Sequence, residues 1–212
     1  MRYQLLLWDF DGTLADTLEL SVHLYNELAA KYGFRPVEDP QAARSLTTLS
    51  FLRAHRIALA KLPALRREFL SLQKAQMEKV RLFNGLPDVL HTIGEKGIPL
   101  SVLSSNAEAN IRICLRANEV EDLFRFIVSY PVILGKARGI RRVLRAQALD
   151  RAKVLYVGDE ARDIEAAHKA GVDIAAVTWG FHRPEILAGC SPTYQITHPE
   201  ELLRLLDFGK IG

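Results

Sequence analysis

Two aspartates one residue apart close the first apolar run of this 212-residue chain: Tyr3-Gln4-Leu5-Leu6-Leu7-Trp8 leads directly into Asp9-Phe10-Asp11-Gly12-Thr13-Leu14. Such a short apolar run reads as a buried strand. Side chains alternate along extended chain, so Asp9 and Asp11 are expected to point one way and Phe10 the other. Gly12 permits the sharp turn that follows. Two carboxylates aimed at one point repel each other unless a cation stands between them or one of them holds a proton. The pair suits Mg²⁺-assisted phosphoryl transfer, in which one carboxylate attacks phosphorus and the other handles the proton of the leaving group.

Further along, the chain divides into two regimes. From about Asp16 to Val80 it reads as helices only. Thr17–Tyr32 carries apolar residues at helical spacing and stops at Gly33; Leu49–Leu62 and Ala64–Val80 read as two more helices separated by Pro63, and Phe34–Pro40 as a connection. After Asn84-Gly85 helices alternate with short apolar runs: Leu86–Lys96 then Pro99–Leu103, Glu108–Ala117 then Phe126–Val128, Ala137–Gln147 then Val154–Val157, Ile164–Ala170 then Ile174–Val177. Alternation of this kind implies an α/β fold, a Rossmann-like parallel sheet with helices on both faces. The first strand belongs with that sheet. Residues 1–15 and 84–212 are thus expected to form the core, and 16–83 an inserted α-helical cap domain, with hinges near Leu14–Thr17 and Phe83–Pro87.

In open parallel sheets ligands bind beyond the carboxyl ends of the strands, and three more strand ends carry polar groups. Ser104-Ser105-Asn106 follows Leu100–Leu103, offering a hydroxyl and backbone N–H groups of the kind that hold phosphate oxygens. Gly135-Lys136 opens the helix over Ala137–Gln147. Gly158-Asp159-Glu160-Ala161-Arg162-Asp163 follows Val154–Val157 and places acids where oxygen ligands would suit Mg²⁺. Taken singly, the Ser104–Asn106 and Asp159–Asp163 segments also fit helix capping, and Lys136 a surface residue.

Together the four segments, in this order, resemble the motifs of the haloacid dehalogenase-like (HAD) hydrolase superfamily: Asp-x-Asp-Gly-Thr-Leu, a strand ending in Ser or Thr, a Lys opening a helix, and Gly-Asp-x-x-x-Asp. Ala137 stands where many relatives have Pro after the Lys, and Ser105 and Asn106 where many have Asn and Lys. The segments Thr178–Phe181 and Pro192–Leu206 resemble the C-terminal region of the phosphoglycolate phosphatase-like subgroup. The resemblance implies a phosphoric monoester hydrolase. Asp9 would be the nucleophile that becomes an aspartyl-phosphate, Asp11 the general acid and base, and Ser104 and Lys136 the groups holding the transferring phosphoryl. Mg²⁺ would be the cofactor, with Asp9, Asp11 (through its carbonyl), Asp159 and Asp163 as the metal group. Within that group Asp163 is expected to orient Lys136 or a metal-bound water, and the role of Glu160 stays open. Ser105, Asn106 and Arg44 are read as substrate-binding, with Thr47 and Thr48 beside Arg44 between cap helices. The cap is expected to act as a lid that sets specificity.

Other readings remain open. A sugar-phosphate mutase shares the core. A phosphonate hydrolase would need a cap lysine, and Lys31, Lys61, Lys74 and Lys79 have no telling context. A haloacid dehalogenase is disfavoured, since it does not need the second acid and Asp11-Gly12-Thr13 matches the phosphatase version. A phosphoacceptor signalling domain or a binding protein could use the same residue types, but a second acid beside the acceptor and a large lid favour turnover. The net charge of +3 is spread along the chain, so the expected partner is a small phosphorylated metabolite and neither nucleic acid nor membrane. No stretch approaches the roughly 20 apolar residues of a membrane span, and the N-terminal apolar run meets Asp9 too soon for a signal peptide. Cys114 and Cys190 show no metal-ligand spacing and read as reduced thiols of a cytoplasmic protein. His23 and His55 are expected to be ordinary helix residues, and His182 and Arg183 a surface loop.

Overall fold

The computed structural model describes residues 2–131 and 135–207. Six parallel strands form one sheet in the order β3-β2-β1-β4-β5-β6. They are β1 (Leu5–Trp8), β2 (Leu100–Ser104), β3 (Phe124–Ser129), β4 (Val154–Gly158), β5 (Asp173–Val177) and β6 (Tyr194–Ile196). β1 lies at the centre, pairing with β2 through Trp8–Val102 and with β4 through Trp8–Val157. All four of its residues are buried. Alternation sorts them between the faces: Leu6 and Trp8 join one core cluster, Leu5 and Leu7 the other. β4 and β5 divide in the same way. Helices α5 (Leu86–Glu95), α6 (Glu108–Ala117) and α10 (Glu201–Asp207) cover the first face; α7 (Lys136–Ala146), α8 (Ala161–Ala170) and α9 (Pro184–Gly189) cover the second. Both faces covered is the arrangement a run as apolar as Leu5–Trp8 requires.

Between β1 and α5 the chain forms four helices: α1 (Leu18–Tyr32), α2 (Pro40–Ala43), α3 (Thr48–Ala54) and α4 (Leu62–Lys74). They enclose a hydrophobic cluster of their own, with Tyr25, Leu28, Phe34, Val37, Ile57 and Leu65 buried in it. The segments entering and leaving this block run side by side. Ala15 bridges Leu82 in antiparallel sense, Asp16 N donates to Arg81 O (2.9 Å), and Phe83 N donates to Leu14 O (3.2 Å).

Three expected boundaries shift for local reasons. The helix expected over Leu49–Leu62 ends at Ala54. Arg56 takes a left-handed φ of 57°, and Ile57 N returns to Leu52 O (2.9 Å), a Schellman closure that buries Ile57. Pro63 does not interrupt the helical block; it lies in the first turn of α4, where its missing N–H is not needed. α4 then stops at Lys74 instead of Val80. Pro40 likewise starts α2, with Asp39 capping the N–H groups of Gln41 and Ala42. Among the described residues no helix is long and apolar enough to cross a membrane.

Candidate active site

The polar strand ends meet beyond the carboxyl ends of the central strands. Asp9 follows β1 and is buried; its Oδ1 accepts from Phe10 N (2.8 Å) and its Oδ2 from Lys136 Nζ (2.5 Å). Lys136, the first residue of α7, also donates to Asp163 Oδ1, and its ammonium sits 5.7 Å from the centre of the Tyr156 ring. Burial opposes the charge of Lys136, but Asp163 and Asp9 outweigh it and hold the group well above the usual lysine range.

Asp159 follows β4. Its Oδ1 accepts from Thr13 Oγ1 (2.5 Å) and its Oδ2 from Phe181 N (2.7 Å). The approach is tight: a Cβ on Gly12 would lie 2.3 Å from Asp159 Oδ2, and Gly12 has φ +77°. Asp163 Oδ2 accepts from Glu160 N (3.0 Å), which starts α8 at Ala161, three residues earlier than expected.

Asp9, Asp159 and Asp163 offer carboxylate oxygens all within 4.8 Å of one another, and all three residues are buried. Were all three carboxylates ionised, one ammonium would leave an excess of two negative charges among these buried groups, the adjoining Arg162–Glu160 pair being neutral overall. Burial and then the neighbouring acids drive the Asp159 carboxyl well above the ordinary range; burial pushes Asp163 up to about 6, with Lys136 opposing. Buried, mutually repelling oxygen donors fit a hard divalent cation, which would relieve both effects.

Asp11 does not join that cluster. Its carboxylate turns aside, with Oδ1 accepting from Gln73 Nε2 (2.9 Å) and Oδ2 from Asn106 Nδ2 (2.8 Å). The two acids therefore diverge, and only the backbone of Asp11 is left as its route to a shared cation. Burial and then Asp9 raise the Asp11 carboxyl to about 6, against the hydrogen bonds from Asn106 and Gln73.

Ser104 ends β2, two residues beyond the Trp8–Val102 pair, and its Oγ accepts from Asn106 N (3.3 Å). Of the residues read as substrate-binding, Asn106 is occupied with Asp11, and Ser105 presents its carbonyl to Arg66 (2.6 Å). Arg44 donates to the carbonyls of Gly180 (2.8 Å) and Phe181 (3.3 Å), clasping the helical block onto the loop after β5. It also lines a cavity of about 310 Å³ between that block and the core, beside Glu160, Arg162, Phe181 and His182. Thr48 lines it as well, while Thr47 caps α3 through Ser50 N. Glu160 is occupied by Arg162.

His182 is not a surface residue. It is buried, with Nδ1 accepting from Ala161 N (3.0 Å) and Nε2 donating to Leu46 O (3.1 Å), which defines the neutral tautomer; burial lowers its pKa. His55 is also buried at the end of α3, bonded to Arg35 O. Both cysteines are free, and burial pushes the Cys114 thiol up to about 12, so it is no nucleophile.

Gln73 escaped the sequence reading, although a signal was there. Leu65, Phe69 and Gln73 are spaced by four, which puts a carboxamide on an apolar helix stripe. The carbonyls that receive Arg44 carry no signal at all, since they belong to backbone.

The family described as haloacid dehalogenase-like hydrolase matches residues 6–177. A phosphoglycolate phosphatase from Synechococcus elongatus is 31% identical over 207 residues, covering 95% of this chain and 96% of that one. An N-acetylmuramic acid 6-phosphate phosphatase from Pseudomonas aeruginosa is 26% identical, covering 98% and 96%. Among solved structures, a haloacid dehalogenase-like family hydrolase from Streptococcus pneumoniae superposes with a TM-score of 0.81 at 23% identity, over 97% of this chain and 99% of the other.

Proposed function

Because the chain belongs to the haloacid dehalogenase-like hydrolases, we propose that it is a Mg²⁺-dependent phosphatase that hydrolyses a small phosphate monoester through a phosphorylated Asp9. The observation that carries this reading is the buried Asp9–Lys136–Asp163–Asp159 cluster, in which one acid alone, Asp9, directly follows the central strand.

Asp9 and Asp159, with the carbonyl of Asp11, would hold Mg²⁺, which supplies charge neutralisation at the phosphoryl oxygens. Asp163 serves that group by orienting Lys136, to which one of its oxygens is bound. An Asp9 carboxylate oxygen attacks phosphorus as the bond to the ester oxygen breaks. Lys136, tethered by Asp163, and the Ser104 hydroxyl hold the transferring group. Asp11 gives its proton to the departing alkoxide. It then takes a proton from the water that attacks the aspartyl-phosphate, freeing phosphate and restoring Asp9. Residues 16–83 act as the lid over this chemistry, hinged at the paired segments around Ala15 and Leu82. The relatives named above are a phosphoglycolate phosphatase and an N-acetylmuramic acid 6-phosphate phosphatase. Selectivity between such esters is assigned to the cavity between lid and core, which reaches Glu160 and Arg162 beside the acidic cluster.

The test is phosphate release from a panel of small esters, phosphoglycolate and sugar phosphates included, with Mg²⁺ and with chelator. Release that needs Mg²⁺ and vanishes in Asp9→Asn, with the fold intact by circular dichroism, is expected. Near-normal turnover by Asp9→Asn would remove the nucleophile assignment. Transfer between hydroxyls without net release would favour a mutase.

A further inference from the structure

Gln73 is only 1% exposed, on a helix face whose neighbouring positions, Leu65 and Phe69, pack into the apolar cluster of the helical block. Leucine or methionine would fill the same space without burying a carboxamide, which is unfavourable unless its polar atoms are engaged. Its Nε2 donates to Asp11 Oδ1 at 2.9 Å, while its Oε1 has no hydrogen-bond partner. An ionised carboxylate only accepts, so toward ionised Asp11 the nitrogen is the atom that bonds, and the oxygen is left over.

Resting on the phosphatase reading above, we propose that Gln73 is a positioning residue for Asp11, orienting the acid/base group only while α4 is seated on the core. Asn106 grips the second Asp11 oxygen from the core side at 2.8 Å, so the carboxylate is held between lid and core. The same helix is seated by two further contacts. Arg66 donates to Ser105 O (2.6 Å), and Asn110 donates to Leu70 O (3.0 Å). Lifting α4 breaks all three together and leaves Asp11 with Asn106 alone of these two amides. Oε1 is buried and unpartnered, so the bond from Nε2 to Asp11 is the one hydrogen bond that this side chain makes among the described residues.

In kcat/KM, which reports the steps up to departure of the leaving group, a residue that acts through Asp11 matters only where that group needs a proton; the later role of Asp11 as base toward water falls on kcat. The experiment compares kcat/KM of wild type, Gln73→Met and Gln73→Glu, both close in size to glutamine, on an alkyl phosphate and on p-nitrophenyl phosphate with Mg²⁺. Nitrophenolate departs without protonation. The expected result is a loss of about ten-fold or more on the alkyl ester, with the nitrophenyl ester within about three-fold. Equal losses on both esters would reduce Gln73 to a packing residue, and no loss on either would overturn the proposal. Unfolding midpoints show whether each variant folds; if Gln73→Met does not, Gln73→Glu carries the comparison. A wild type inert on both esters, or an Asp9→Asn variant still active on nitrophenyl phosphate, would instead sink the phosphatase reading, and this inference with it.

Discussion

Replacing Lys136 with methionine tests whether the ammonium is what allows three acids to share this site. Its Nζ lies 2.5 Å from Asp9 and also contacts Asp163, whose side chains are 3% and 0% exposed. Lys136→Met keeps the length of the side chain and removes its charge. Breaking a buried ion pair by deleting one partner costs about 3–5 kcal/mol, because the remaining charge is left uncompensated. With a urea dependence of about 2 kcal/mol/M for a protein of this class, the midpoint should fall by roughly 2 M at pH 7.5 in chelator. The loss should shrink toward pH 5.5, since Asp163, already raised to about 6 with Lys136 present, relaxes by taking up a proton once the cation is gone. Urea titrations of both proteins at the two pH values provide the assay. Equal midpoints at pH 7.5, or a loss that does not depend on pH, would refute the charge-balance argument. Turnover should fall by at least 10²-fold whatever the stability result.

Mg²⁺ should stabilise the folded protein by about 2.7 kcal/mol at a concentration one hundred times its Kd, read as a rise in Tm that Asp159→Asn abolishes; an unchanged Tm would remove the metal site. Gly180→Ala would push a Cβ to 2.3 Å from both Asp159 Oδ2 and Gly12 O, so turnover should drop by about 10²-fold or more, whereas Gly189→Ala, with open space around it, should be silent. The Asp11 carboxyl, raised to about 6, keeps a proton in the folded metal-free protein that the unfolded chain releases near 4. Its contribution to stability is therefore complete below about pH 4 and is lost as pH rises through 6. Relative to Asp11→Asn, wild type in chelator should lose on the order of 1 kcal/mol between pH 5 and 7.5, and a flat difference would contradict the burial of that carboxyl.

The fold was largely legible because its signals are local. Apolar runs of four or five residues alternating with helical stripes leave few alternatives to a parallel sheet covered on both faces; Asp9, Ser104 and Asp159 each stand at the end of such a run, and Lys136 opens a helix. Strand ends converge in any sheet of this kind, so the sequence by itself determined which four segments would meet. It did not determine where their side chains would turn. Strand alternation put Asp11 beside Asp9, but the chain leaves extended geometry at Gly12, and donors from β2's loop and from α4, 95 and 62 residues away, draw the Asp11 carboxylate aside. His182 read as a surface loop because a hydrophilic loop and a buried clasp have the same composition; only contact with Leu46 and Ala161 buries it. Arg44, read as substrate-binding, lines the cavity but also donates to the backbone carbonyls of Gly180 and Phe181, and carbonyls are identical at every position of a sequence. Strand and helix identity follow from near neighbours along the chain, whereas the orientation of a polar side chain depends on partners that only the tertiary structure brings within hydrogen-bonding distance.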